Sequence, residues 1–236
     1  MDTSTKSTGA TKSRSLPEIV RGRIRARKPG SVVSPADFLS LGTRAAVDQV
    51  LSRLAKDGTL RRIRRGVYYY PRVNEQLGIT LSPDPDAIAK ALARGQKTEI
   101  QVAGAQAANL LGLSEQVPAR VVYLTDGATG KVQVDNQTIE LRHASPRSMR
   151  TAGRISGTVI QALRHLGKKN VTPEIVQRLS ANLSKEEKGV LRRDLLLAPE
   201  WMRAVLSSVI EESKAKSKPS GNSTNASVND ASFEEE

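Results

Sequence analysis

From Thr43 to Tyr70 the chain reads TRAAVDQVLSRLAKDGTLRRIRRGVYYY, and the spacing of its apolar residues changes once inside that run. Val47, Val50, Leu51 and Leu54 fall at i, i+3, i+4 and i+7, which only a helix gathers onto one side. The opposite face is left to Arg44, Asp48, Gln49, Ser52, Arg53 and Lys56. Thr43 stands where an N-cap belongs, and Gly58 follows the last turn as a residue free to take positive φ. Beyond Gly58 the apolar positions Leu60, Ile63, Val67 and Tyr69 lie on two strand-like segments broken at Arg65-Gly66, which predicts a short hairpin. Its tip would carry Arg61, Arg62, Arg64 and Arg65, four guanidinium groups too close together to be buried. Such a cluster suits phosphate contact or insertion into a narrow minor groove.

The residues upstream extend this pattern. Leu16 to Arg27 reads as a first helix, with Ser15 as N-cap, Pro17 in the first turn and Glu18 at the capping-box position; Lys28-Pro29-Gly30 ends it. Val32 and Val33 suit a short strand. Ser34 to Leu39 reads as a capped second helix closed by Gly42. Helix, strand, helix, turn, helix and a two-stranded wing is the order of a winged helix-turn-helix unit.

Charge points the same way. The 236 residues carry a formal net charge of +13, which favours association with an anionic polymer. From Arg14 to Arg72 there are fourteen cations and four acids, so most of the surplus lies in this unit. There is no cysteine, which excludes disulfides, thiolate metal sites and a cysteine nucleophile, and suggests a cytoplasmic setting. No segment approaches the ~20 apolar residues of a membrane span, and the N-terminus lacks the apolar stretch of a secretion signal, so no membrane partner is expected. An aromatic share of 3% argues against base-stacking platforms, and Tyr68, Tyr69 and Tyr70 are expected to pack or to touch backbone.

The remainder divides coarsely. Residues 1–14 read as a disordered basic arm, 15–72 as the winged helix, 73–85 as a linker marked by Pro83 and Pro85, 86–212 as a C-terminal domain of mixed α/β character, and 213–236 as a disordered tail ending in Glu234-Glu235-Glu236. Within the C-terminal domain, Asp86 to Arg94 suits a helix stopped by Gly95. Ala103 to Leu111 suits a small-residue helix, and Val117 to Thr125 a strand. Lys131 to Val134 and Thr138 to Arg142 form a hairpin about Asp135-Asn136-Gln137. Ser156 to Leu166, Pro173 to Leu183, Lys185 to Leu197 and Pro199 to Glu212 read as terminal helices. The expected fold class is α+β.

Catalytic constellations are not apparent. His143 and His165 are the two histidines, and neither has a carboxylate or second histidine at metal-ligand spacing. Asp126-Gly127 has the form of a turn, and Thr129-Gly130-Lys131 lacks the spacing of a phosphate-binding loop. No enzymatic activity, metal or cofactor is expected. A second basic stretch, Arg142 to Arg150 with Arg154, suits either solvent or an extended nucleic-acid footprint.

Taken together, the winged helix, the run AGAQAANLLGLSEQVPARVVYLTDG and the hairpin TIELRHASPR resemble AbiEi-type antitoxins of type IV (abortive-infection) toxin-antitoxin systems, over roughly residues 15–210. The resemblance implies a winged-helix domain that represses its own operon and a C-terminal domain that counters a nucleotidyltransferase-like toxin, in a family whose toxin and antitoxin are generally thought not to form a stable complex. It carries DNA contact to Thr43, Arg44, Gln49 and Arg53 and to the wing arginines Arg61, Arg62, Arg64 and Arg65. Ser52 and Lys56 share the helix face and are expected DNA contacts as well. The expected partners are an operator in double-stranded DNA, arranged as an inverted repeat, and a cognate toxin. The alternatives are a module that neutralises a partner protein by direct binding, and a solitary winged-helix regulator.

Overall fold

The computed structural model describes residues 14–215; the basic arm and most of the acidic tail lie outside the described residues. The class is α+β, as expected. Helix α1 (Leu16–Ala26) opens at Ser15, whose backbone N–H donates to Glu18 Oε2 at 2.8 Å. That bond holds the Glu18 carboxyl below the usual glutamate range. Strand β1 (Val32–Val33) follows. The expected second α-helix is instead a single 3-10 turn, Pro35–Phe38. The run between Ser34 and Thr43 is short, and Asp37 is spent on closing the turn, accepting the Ser34 N–H at 2.7 Å. The fully buried Phe38 then anchors the turn in the core.

Helix α2 (Arg44–Lys56) starts at Thr43, whose Oγ1 accepts the Ala46 N–H at 3.3 Å, and it buries Val47, Val50, Leu51 and Leu54, the stripe read from the sequence. Strands β2 (Arg61–Arg64) and β3 (Val67–Tyr69) form the wing, joined through Gly66 at φ +77°, a conformation that excludes most side chains. With β1 they make an antiparallel sheet in the order β1-β3-β2. Arg61 lies opposite Tyr69 and Arg62 opposite Tyr68, and the register then shifts so that Arg64 faces Val67. Ile63 is the extra residue of this bulge and packs against the core behind the sheet.

All three residues of β3 are buried because both faces of the sheet are covered. Val33 and Tyr68 belong to the core of the N-terminal unit, with Val20, Ile24, Phe38 and Leu51. Val32, Val67 and Tyr69 point the other way, into a larger core shared with the rest of the chain. Segment 73–85, read as a linker, contains a two-stranded hairpin, β4 (Val73–Asn74) with β5 (Ile79–Thr80). It is tied down at its base: the Tyr69 hydroxyl donates to the Leu81 carbonyl at 2.8 Å and accepts the Arg72 N–H at 3.2 Å.

Helix α3 (Pro85–Gln96) is capped by Asp84 and runs through Gly95, where the sequence suggested a stop. Closure comes two residues later, at Lys97 with φ +55°, whose N–H reaches the Ala93 and Arg94 carbonyls. Strands β6 (Ile100–Ala103), β7 (Arg120–Thr125), β8 (Gly130–Val134) and β9 (Gln137–His143) form a second sheet in the order β6-β7-β9-β8, with helix α4 (Gly104–Leu110) between the first two. The β8–β9 hairpin is antiparallel, while β9 runs parallel to β7. Val121, Tyr123, Ile139 and Leu141 line up across the two central strands, in one core with Ile88 and Leu92 of α3 and the back of the wing sheet.

The one-turn helix α5 (Pro146–Met149) leads to α6 (Ile155–Leu166), α7 (Pro173–Asn182), α8 (Lys185–Arg193) and α9 (Glu200–Ala215). The helix expected to reach Leu197 breaks at Asp194, because that buried carboxylate accepts from Arg154 at 2.6 Å and from the Ser156 hydroxyl. No described helix is long and apolar enough to cross a membrane.

Candidate nucleic-acid interface

Because α2 sinks only its apolar stripe, its remaining surface faces outward. Thr43, Arg44, Gln49, Arg53 and Lys56 are exposed, and Ser52 is partly so. At 100° per residue, Gln49 and Lys56 sit opposite the core, with Arg44, Asp48 and Ser52 on one flank and Arg53 on the other. The wing stands beside the first flank. Arg44, Asp48, Ser52, Arg62, Arg65, Gly66 and Tyr68 line one cleft of about 480 Å³ between helix and hairpin. The register explains Arg62: it shares the Tyr68 side of the sheet, and that side faces α2. Burial among these groups raises the Tyr68 phenol above its usual range.

Arg64 lines a smaller cleft across the hairpin tip, with Arg44, Arg65 and Gly66 on one side and Leu92, Gly95 and Gln96 of α3 on the other. The wing cations therefore spread to both sides of the tip. Among the described residues Arg53, Lys56, Arg62, Arg64 and Arg65 make no ion pair. Arg44 does, through its Nε at 3.1 Å from Asp48 Oδ2.

Arg61 departs from the expected set. It turns to the back of the sheet and donates to Asp135 Oδ1 at 2.7 Å, while the Ser82 hydroxyl donates to Oδ2 at 2.6 Å. These bonds hold the Asp135 carboxyl below the usual aspartate range. Arg61 is thus a tie between the wing and the β8–β9 turn rather than a member of the tip cluster. Nothing local in the sequence marks it, since Asp135 is 74 residues away. The arginines of α1 are likewise partly engaged: Arg21 pairs with Asp57 at 3.2 Å, Arg23 donates to the Ser40 hydroxyl, and Arg27 lies 3.6 Å from Asp37 and over the Phe38 ring. Three residues of the main cleft, Asp48, Gly66 and Tyr68, lie outside the set marked by sequence for DNA contact. Tyr68 is recognisable only once the strand register is known.

The second basic stretch is less coherent. Arg142 and Arg120 flank the buried Glu140 at 2.8 and 3.7 Å, and Arg154 is held by Asp194, whereas Arg147 and Arg150 are exposed. His143 Nδ1 lies 3.0 Å from the Gly127 carbonyl, and Asp126 accepts the Glu99 N–H at 2.9 Å in a turn. Among the described residues no three acidic or histidine side chains converge as a metal site would require.

An exposed helix after a tight turn, followed by an arginine-bearing hairpin in a three-stranded sheet, defines residues 15–72 as a winged helix-turn-helix unit within an α+β chain. Residues 19–191 match the family described as "Family of unknown function (DUF6088)", and the chain belongs to it. No curated protein matches the chain.

Proposed function

We propose that this protein is a sequence-specific, double-stranded-DNA-binding transcriptional autorepressor and an antitoxin, acting in the cytoplasm without enzymatic activity, that counters a nucleotidyltransferase-like toxin. The observation that carries the DNA reading is the cleft itself: the polar flank of α2 and the wing residues Arg62 and Arg65 border one surface, with Arg64 just beyond the tip. Helix α2 would lie in the major groove and the wing along the adjacent backbone, with two copies on an inverted repeat. The toxin half rests on the resemblance to AbiEi-type antitoxins.

Gel-shift titration on DNA from upstream of its own gene tests the first half. Preference over random duplex of about a thousandfold or more, falling steeply with salt, is expected, and equal binding to both sinks the repressor reading. Growth rescue on co-expression with an adjacent nucleotidyltransferase-like gene tests the second half, and toxicity that persists overturns it. Direct neutralisation of a partner protein is favoured by one feature, the β4–β5 hairpin, where Val73, Leu77 and Ile79 are 55%, 66% and 51% exposed. A stable co-purified complex that Leu77→Lys dissolves would support that second reading.

A further inference from the structure

Asp48 is out of place in a cleft built only to hold phosphates. Three guanidinium groups, Arg44, Arg62 and Arg65, border that cleft with this one carboxylate, whose side chain is 46% exposed. A carboxylate there repels a phosphate and occupies Arg44, which would otherwise be free to bind one.

Helix stability does not account for it. The favourable order of an i,i+4 ion pair places the acid toward the N-terminus, where it also complements the helix dipole. Here the order is reversed: Arg44 occupies the first helical position, Asp48 lies beyond the first turn, and the first turn contains no acid. Exchanging the two side chains would serve the helix better.

An acceptor on a helix in the major groove has one complementary target, an exocyclic amine, and the aspartate pairing is with N4 of cytosine. Asp48 accepting from Arg44 Nε also limits the rotamers of Arg44 and leaves its terminal nitrogens to donate. Those donors match O6 and N7 of a guanine. We infer that Asp48 is a specificity-determining residue, which accepts from a cytosine amine within the operator and aims Arg44 at a guanine nearby. The inference rests on the DNA reading above and deepens it.

Enrichment from a randomised duplex library, with the full chain as wild type, Asp48→Ala and Asp48→Asn, tests it. Wild type is expected to enrich cytosine at one position of each half-site. Asp48→Ala is expected to lose that preference by between about 5- and 100-fold and to weaken the neighbouring guanine preference as Arg44 loses its orientation, while leaving positions beyond these two unchanged. It should also bind random duplex more tightly, with a salt slope steeper by about one phosphate contact as Arg44 is released. Asp48→Asn, which keeps the size and can pair with adenine, should move the preference from cytosine to adenine. Enrichment of adenine by wild type would overturn the cytosine assignment. If wild type enriches a site and Asp48→Ala enriches the same one, the role of Asp48 falls and the DNA reading stands. If wild type enriches nothing, both fall.

Discussion

Arg61 and Arg62 are neighbours on one strand and have opposite fates. Arg61 turns behind the wing sheet and is closed onto Asp135, while Arg62 turns forward into the cleft beside α2, where the only acid already holds Arg44. A similar contrast separates the N-terminal unit from the longer region that follows it. Residues 14–72 carry fourteen cations against four acids, whereas residues 73–236 carry twenty-one against nineteen. In the second region the cations of the β7–β9 sheet crowd around Glu140, and Arg154 satisfies a buried aspartate. Cations are abundant in both; what differs is how many acids accompany them, four in the first region and nineteen in the second. A cationic surface able to neutralise a polyanion is made as much by withholding carboxylates as by adding guanidinium groups.

Removing the wing charges that make no ion pair should break the contrast most severely. Simultaneous replacement of Arg62, Arg64 and Arg65 by alanine is expected to weaken DNA binding on the order of 100-fold near physiological salt, and to reduce the slope of log affinity against log salt by roughly 0.9 per residue. Arg61→Ala should leave that slope unchanged, and fluorescence anisotropy over a salt series measures both. A smaller effect separates the two cores that meet at β3. Tyr69→Phe removes a hydroxyl bonded to the Leu81 carbonyl and the Arg72 amide, and should cost about 1–2 kcal/mol in urea unfolding. Tyr68→Phe, whose ring keeps its packing, should stay within about 0.5 kcal/mol of wild type.

The smallest effect concerns acid. Because the Asp135 pKa is lowered by Ser82 and Arg61, its contribution to folding is complete above the ordinary aspartate value of about 3.9 and is lost as pH falls through the lower folded value. The tie between wing and sheet should therefore hold through neutral and mildly acidic pH. A carboxyl NMR titration should place the Asp135 midpoint below that of an unperturbed aspartate, and Arg61→Ala should raise it.

The elements of the N-terminal unit were legible because they are specified locally. The caps at Ser15 and Thr43, the stripe Val47-Val50-Leu51-Leu54 and the turn at Gly66 each act over a few residues, and each appears where the spacing predicts. What was not legible depends on partners far along the chain. The 3-10 turn is fixed by Asp37, which holds Arg94 at 3.0 Å as well as Arg27. The break at Asp194 is set by Arg154 and Ser156, and the diversion of Arg61 by a turn in the other half of the molecule. The candidate site was likewise half readable: the face of α2 follows from periodicity, but which wing arginines flank it depends on a bulge at Ile63 that changes the register.

The shared strand β3 also bears on how such a protein can be inherited. A fragment cut after Arg72 would leave Val32, Val67 and Tyr69 facing water, a contiguous apolar face of the kind that drives aggregation. The arginine-bearing unit is therefore poorly suited to recombination as a free cassette. It can be shuffled only together with a neighbour that supplies the equivalent of α3, so this unit and the region after it are expected to descend as one piece.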